Sequence, residues 1–316
     1  RMQIAKLIDA EENNIAIVSS ASEILSQLPS LLSPSATNRI VLVSTDFPAV
    51  TRPWVAYAES NNCELCFVSE ERCKNLTEQI LANINNRTSA VCISYVQFAS
   101  GTRIDIGKLR RATDKVGAKL IVDITQAAGA IPISVNNWEA DLVVCSGYKW
   151  LGGHGGVAFA WFSNALLELQ PTWIGWFGGV DPFDMEATQL KLSNTARKYT
   201  QSTLSYISVT GLNAALDQIL SLGVNNIFDH SVKLADFLIS KLQGIGWEQF
   251  RKSDDLEFSP HIISLLNSNQ NLQTTFNRLL KNNVVCGIRN DRIRISLAHY
   301  NNSDDISSLL QHLHLK

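Results

Sequence analysis

Two short apolar runs, KLIVD at 119–123 and ADLVVCS at 140–146, constrain this chain more than any other feature. Each is too short for a core helix and suits a strand buried on both faces. Each also ends in polar groups. Asp123 closes the first, and Ser146, Tyr148 and Lys149 close or follow the second. In an open α/β sheet, ligands collect outside the carboxyl ends of the strands. An acid and a lysine at that edge read as a site, because an apolar core has no use for either.

The neighbouring residues narrow the chemistry. Lys149 lies between Tyr148 and Trp150 and just before Leu151, so its amine is expected to be partly desolvated. Desolvation lowers a lysine pKa and makes the amine a nucleophile toward an aldehyde. A buried carboxylate such as Asp123 is costly unless it meets a cation, and a protonated pyridine nitrogen is one. A Schiff-base lysine with an acid for a pyridinium points to pyridoxal phosphate chemistry.

Strands and helices alternate around these runs. IAIVSS (15–20), RIVLVS (39–44), CELCFVS (63–69), TSAVCISYV (88–96) and GGVAFAWFS (155–163) read as strands, with SASEILSQL, LTEQILANI and IGKLRRATDKVG as helices. This alternation predicts an α/β sheet, doubly wound. TDFPAVTRPW, with Pro48 and Pro53, reads as an irregular connection. Arg110 and Arg111 read as a solvated helix face. PTWIGWFGGVDPF (171–183) reads as a long loop whose aromatics suit a binding wall or a subunit interface. Glycines 152, 153, 155 and 156 suit a tight reversal after the lysine, with His154 as a loop residue. The remainder runs strand (HIISLL), helix (TTFNRLLKNN), strands (VVCGI, RIRIS) and a closing helix at 304–316, a smaller α+β unit. The expected division is 1–220 and 221–316.

With 316 residues and 45% hydrophobic content the chain can bury a large core. A formal charge of −2 recommends neither a nucleic acid nor an anionic membrane as partner. No apolar run approaches the roughly 18 residues of a membrane helix, and a cytoplasmic location is expected. The six cysteines read as reduced thiols: Cys63 and Cys66 have no fourth ligand nearby for a metal. The sequence opens at Arg1 inside a helical pattern, so a preceding segment is expected.

The pattern D-x-x-Q-A-x-G from Asp123, then A-D at 140–141, then S-G-Y-K-W-L-G-G from Ser146, resembles the class V aminotransferase family. That family includes cysteine desulfurases, kynureninase and isopenicillin-N epimerase-like enzymes, and the resemblance covers almost the whole chain. It implies fold-type I: a large, mostly parallel seven-stranded sheet domain with helices on both faces, plus a smaller C-terminal α+β domain. It also implies pyridoxal 5'-phosphate as cofactor, a small-molecule amino-acid substrate, and a homodimer with a shared active site.

The same resemblance assigns roles. Lys149 carries the Schiff base and acts as base at Cα, Asp123 faces the ring nitrogen, and Gln126 faces the phenolic oxygen. Ala21 (backbone), Ser22 (hydroxyl), Ser146 and Tyr148 hold phosphate, although Ser20 or Ser22 could equally be an ordinary helix cap. Phe47 stacks on the ring, and Trp176 approaches the cofactor of the partner subunit. Ser202 stands where the family's phosphate-touching Thr lies, in a stretch whose glycine and proline are replaced by Gln201 and Thr203. Arg294, in an R-x-S-x-x-x-Y-N ending shared with Ser296, Tyr300 and Asn301, grips the substrate α-carboxylate. Arg289 is a second guanidinium candidate. Phe47 and Tyr148 stand where desulfurases carry His, and no long cysteine loop fits between Cys286 and Arg294, so persulfide chemistry is disfavoured. The implied activity is that of an aminotransferase or a β-eliminating, kynureninase-like lyase. An epimerase and a non-catalytic cofactor-binding member are the alternatives.

Overall fold

The computed structural model describes residues 1–313, so the last three positions of the expected closing helix lie outside the described residues. The first part of the chain runs α1 (Met2–Ile8), β1 (Ile15–Val18), α2 (Ala21–Leu32), β2 (Arg39–Val43), α3 (Pro48–Asn61), β3 (Glu64–Val68), α4 (Leu76–Leu81) and β4 (Thr88–Ser94). It continues with α5 (Ile106–Val116), β5 (Lys119–Asp123), α6 (Val135–Trp138), β6 (Leu142–Ser146), β7 (Ala158–Phe162), α7 (Asn164–Leu167) and α8 (Tyr206–Leu222). Then come α9 (Val224–Leu242), β8 (Glu248–Gln249), β9 (Ile262–Leu266), α10 (Leu272–Lys281), β10 (Gly287–Arg289), β11 (Arg292–Ser296) and α11 (Ser303–Leu313).

Seven strands form one sheet in the order β1-β7-β6-β5-β4-β2-β3. The five from β6 to β3 are parallel, whereas β7 runs antiparallel to both β6 and β1. The carboxyl ends of β1, β6, β5, β4 and β2 therefore share one edge. Side chains alternate between faces along a strand. Val41 and Val43 join a core with Ile4, Ile8, Leu109 and Leu212. Ile40 and Leu42 join another with Ile24, Leu28 and Trp54. Both faces are covered, so these strands are apolar on both faces through their middles, with polar residues at their ends. Each fully buried aliphatic side chain stabilises the sheet by about 1.5–3 kcal/mol.

The stretch expected to be irregular at 45–54 is mostly helix. Pro48 occupies the first turn of α3, where its missing N–H would have had no partner, and Pro53 lies inside the helix five residues on. Arg110 also differs from expectation. Its side chain is only 13% exposed and pairs with Asp141 at 2.8 Å and with Asp114. The acid that draws it inward is 31 residues away and invisible to local periodicity.

A second, four-stranded sheet has the order β10-β11-β9-β8 and packs against α9, α10 and α11 through Leu238, Leu279, Ile293 and Leu309. The boundary expected at 220/221 falls in the last turn of α8, just before Gly223 (φ 80°), where the helix bends by 74° into α9. Among the described residues no single helix is long and apolar enough to cross a membrane. Several contacts tie the second sheet to the first, among them those at Gly101 and Arg251. A Cβ on Gly101 (φ +78°) would lie 2.1 Å from the Ile262 carbonyl oxygen, so only glycine fits. Arg251, side chain 2% exposed, reaches Glu70 and Glu257 and donates to Thr102 Oγ1. Glu257 in turn accepts the N–H groups of Leu76 and Thr77 at the start of α4.

Candidate active site

Polar groups line the carboxyl edge of the large sheet in strand order. Asp123 ends β5 and is buried, with Oδ1 accepting the Thr125 N–H at 2.7 Å. Thr125 Oγ1 accepts the Ser146 N–H from the end of β6 at 3.0 Å. On the other side, Ser94 pairs in register with Asp123. Ser94 donates from its N–H (2.8 Å) and Oγ (2.5 Å) to Asp46, which also accepts from Gln97 and from the Phe47 N–H. The two carboxylates are stacked into the sheet edge without a countercharge. Burial raises both pKa values, Asp123 to about 6, with Asp46 contributing to that rise.

Gln126 is the hub of the next layer. Its Oε1 accepts from Trp150 Nε1 at 3.1 Å and from Arg294 Nη2 at 3.2 Å. Its backbone oxygen accepts from His261 Nε2 at 2.7 Å. His261 is fully buried, packs edge-on against Trp150 and is held neutral, its pKa pushed down to about 4 by desolvation. With Oε1 taken twice, the amide nitrogen of Gln126 remains to donate to a ligand.

Gln126, Lys149, Trp150, His261, Arg294 and Tyr300 line one cavity of ≈ 330 Å³, with Tyr148 at its wall. Lys149 is more exposed than expected, its Nζ lying 5.1 Å from the Tyr148 ring centre. Its pKa is nonetheless lowered, first by partial desolvation and then by Arg294 and Arg289. Arg294 is itself pushed down to about 10 by burial and by Arg289, and its Nε has no partner. The stretch after the lysine reverses tightly, as Gly152 (φ 71°) and Gly156 (φ 84°) allow.

The remaining expected residues lie outside that cavity's lining, Ala21 and Ser22 following β1 and Phe47 following β2 at the same carboxyl edge, Trp176 and Ser202 beyond it. Ser22 and Phe47 line a groove of ≈ 800 Å³ between α2 and α3, with the Phe47 ring exposed and edge-on to Phe98. Ser20, not Ser22, caps α2 by accepting the Glu23 N–H. The buried Ala21 and the exposed Ser22 follow it, with first-turn N–H groups that have no partner inside the helix. Trp176 lines a third cavity, built from its own loop, 174–191. Ser202 is exposed; Arg197, on the short turn before it, donates to the carbonyl oxygens of Gly179 and Val180. Asp46, Ser94, Thr125, Trp150 and His261 are the site residues sequence reasoning missed. Only Thr125 carried a local signal, the D-x-T spacing that lets a carboxylate take an N–H two residues on.

These groups suit pyridoxal phosphate. Asp123 lacks a cation and a protonated ring nitrogen is one; Lys149 is an amine held below its ordinary value; Gln126 has an amide donor to spare; and the α2 N-terminus offers N–H groups to a phosphate.

Comparisons with known proteins agree. The chain is 27% identical over 317 residues to "Uncharacterized aminotransferase YcbU" of Bacillus subtilis (strain 168), covering 100% of this chain and 82% of that protein. It is 26% identical over 290 residues to a kynureninase of Debaryomyces hansenii, covering 84% of this chain and 62% of the kynureninase. Its fold matches the apo cysteine desulfurase of Thermococcus onnurineus NA1 with a TM-score of 0.87 at 18% identity, covering 99% of this chain and 81% of that one. The family model described as Aminotransferase class-V matches residues 1–309, so the chain belongs to the class V aminotransferase family of pyridoxal phosphate proteins.

Proposed function

We propose that this protein acts at Cα of an amino acid, with Lys149 as the covalent and proton-transferring residue. The observation that carries this reading is the convergence of Lys149, Gln126 and Arg294 on one cavity beside the strand end that buries Asp123. Bound here, pyridoxal phosphate supplies an aldehyde for the amine and a protonated ring that withdraws electrons from Cα. Asp123 holds the ring nitrogen protonated. Gln126, fixed by Trp150 and Arg294, donates to the phenolic oxygen. Ala21, Ser22, Ser146 and Tyr148 hold phosphate, and Phe47 covers the ring. Arg294 orients the substrate by its α-carboxylate, and Lys149, freed when substrate binds, takes the Cα proton. Trp173, Ile174, Trp176 and Phe183 are exposed on one loop, which supports a second copy of the chain as the partner that completes the site.

The reaction is transamination, or a β-eliminating or kynureninase-like cleavage of the substrate side chain, and product analysis separates them. The loaded protein is mixed with a panel of amino acids while its visible spectrum and the released products are followed. Conversion to the pyridoxamine form names a transaminase and its donor; recovery of the starting spectrum with a released side-chain fragment names a lyase. The reading fails if Lys149→Ala still retains cofactor covalently after borohydride reduction.

A further inference from the structure

Two cations line the active-site cavity, a third adjoins it, and no carboxylate is among its lining residues. Lys149 and Arg294 belong to its wall. Arg289 stands on β10 two residues beyond Gly287, and Gly287 is the cross-strand partner of Arg294. Residues two apart on a strand share a face. Arg289 and Arg294 thus project from the same face of the β10–β11 hairpin as diagonal neighbours, roughly 7 Å apart at Cβ.

The residue opposite Arg294, Gly287, has no side chain, and Arg289 uses the space. Its Nη1 would lie 3.5 Å from a Cβ at position 287 and donates to the Ile288 carbonyl at 2.7 Å. The guanidinium is folded back along the hairpin toward Arg294 instead of extending from the tip. Among the described residues neither arginine forms an ion pair. Both Lys149 and Arg294 feel Arg289 as a like charge. Such an arrangement is unfavourable until an anion enters. One α-carboxylate answers Arg294, and Arg289 is left over.

We propose that the substrate is an α-amino dicarboxylic acid whose side-chain carboxylate is bound by Arg289. This rests on the function proposed above, in which Arg294 takes the α-carboxylate. A planar guanidinium matches a carboxylate fork to fork. The cavity of ≈ 330 Å³, walled on one side by Ile227, Leu297 and Tyr300, leaves room for a short methylene chain between two carboxylates.

The test uses the pyridoxal phosphate-loaded protein. Aspartate, glutamate and 2-aminoadipate are titrated against asparagine and glutamine while the visible spectrum is followed. The best acid should bind about tenfold more tightly than its amide, a charge-assisted pair moderated by the exposure of Arg289. In Arg289→Gln that ratio should collapse toward one, and in Arg289→Lys part of it should remain. An unchanged thermal midpoint in each variant shows that the hairpin is intact. A ratio near one in the unmodified protein, or a ratio that survives Arg289→Gln, overturns the proposal. Failure of Lys149 to hold the cofactor is seen before any amino acid is added and overturns the function itself. A loaded protein that prefers neutral amino acids overturns only the substrate class.

Discussion

Asp123 carries a cost that can be measured without knowing the substrate. Burial, with a contribution from Asp46, lifts its pKa from 3.8 to about 6. Between those two values the folded chain holds a proton that the unfolded chain has released. Stability therefore falls as pH rises through that window, and the loss is complete above about pH 6. At about 1.36 kcal/mol per unit, the carboxylate destabilises the cofactor-free protein by about 3 kcal/mol at neutral pH. Asparagine keeps the acceptor for the Thr125 N–H and cannot ionise. Cofactor-free Asp123→Asn should thus be about 3 kcal/mol more stable than the unmodified protein at pH 7.5 and should match it near pH 4. Urea titrations followed by circular dichroism, in steps from pH 4 to 8, read that difference; Asp46 is present in both proteins, so its own titration largely cancels. Saturating pyridoxal phosphate should narrow the gap, because a protonated ring nitrogen is the cation the carboxylate lacks. A gap that is constant across pH, or an unmodified protein that is the more stable at pH 7.5, refutes the reasoning.

Other perturbations follow from the same geometry. His261 has the opposite sign: its folded pKa of about 4 lies below 6.5, so the stability it contributes is present above pH 6.5 and is lost as pH falls toward 4. His261→Gln should flatten that part of the pH–stability curve, and an unchanged curve counts against a buried neutral imidazole. Trp150→Phe removes one of the two donors to Gln126 Oε1, a loss of about 1 kcal/mol that cofactor-affinity titration should register as a several-fold weakening. Arg251→Met leaves Glu70 and Glu257 buried without their guanidinium, and chemical denaturation should show a loss of about 3–5 kcal/mol. Gly101→Ala, which sets a methyl group against the Ile262 carbonyl, should also destabilise, and a neutral melting curve would mean that the two sheets do not meet there as described.

The fold was largely legible because its strands are short, apolar through their middles on both faces and mostly separated by helices, a pattern that few other architectures produce. All seven large-sheet strands were read within a few residues. Misreadings came where a distant partner decides. Pro48 and Pro53 suggested a break, yet Pro48 stands at the first helical position, where a missing N–H is harmless, and the helix runs on through Pro53. Arg110 looked solvated because Asp141, which draws it inward, lies on another element. At the site, Asp123, Gln126, Lys149 and Arg294 could be named because each sits in a dense motif. Asp46 and His261 could not: each acts through a backbone group or neighbour more than 40 residues away, Ser94 for one and Gln126 for the other.

What unites the two halves of the site is a separation of charge that the protein leaves uncompensated. Asp46 and Asp123 are buried at the strand ends, and no cation bears on either. Lys149 and Arg294 face the cavity with Arg289 beside them, and no acid lowers their repulsion. A chain selected for stability alone would pair these groups, since leaving buried charges unpaired is among the costlier arrangements available to it. The pattern makes sense if the ligands complete it, a cationic ring nitrogen on one side and carboxylates on the other. It also explains why Gln126 stands between the halves. Its amide oxygen holds Arg294 in place before any carboxylate arrives, and its amide nitrogen is left for the cofactor. On the function proposed above, a substrate carboxylate that draws Arg294 away would remove one of the two donors that fix Gln126, coupling occupancy of the carboxylate site to the hydrogen bond that Gln126 would make to the ring.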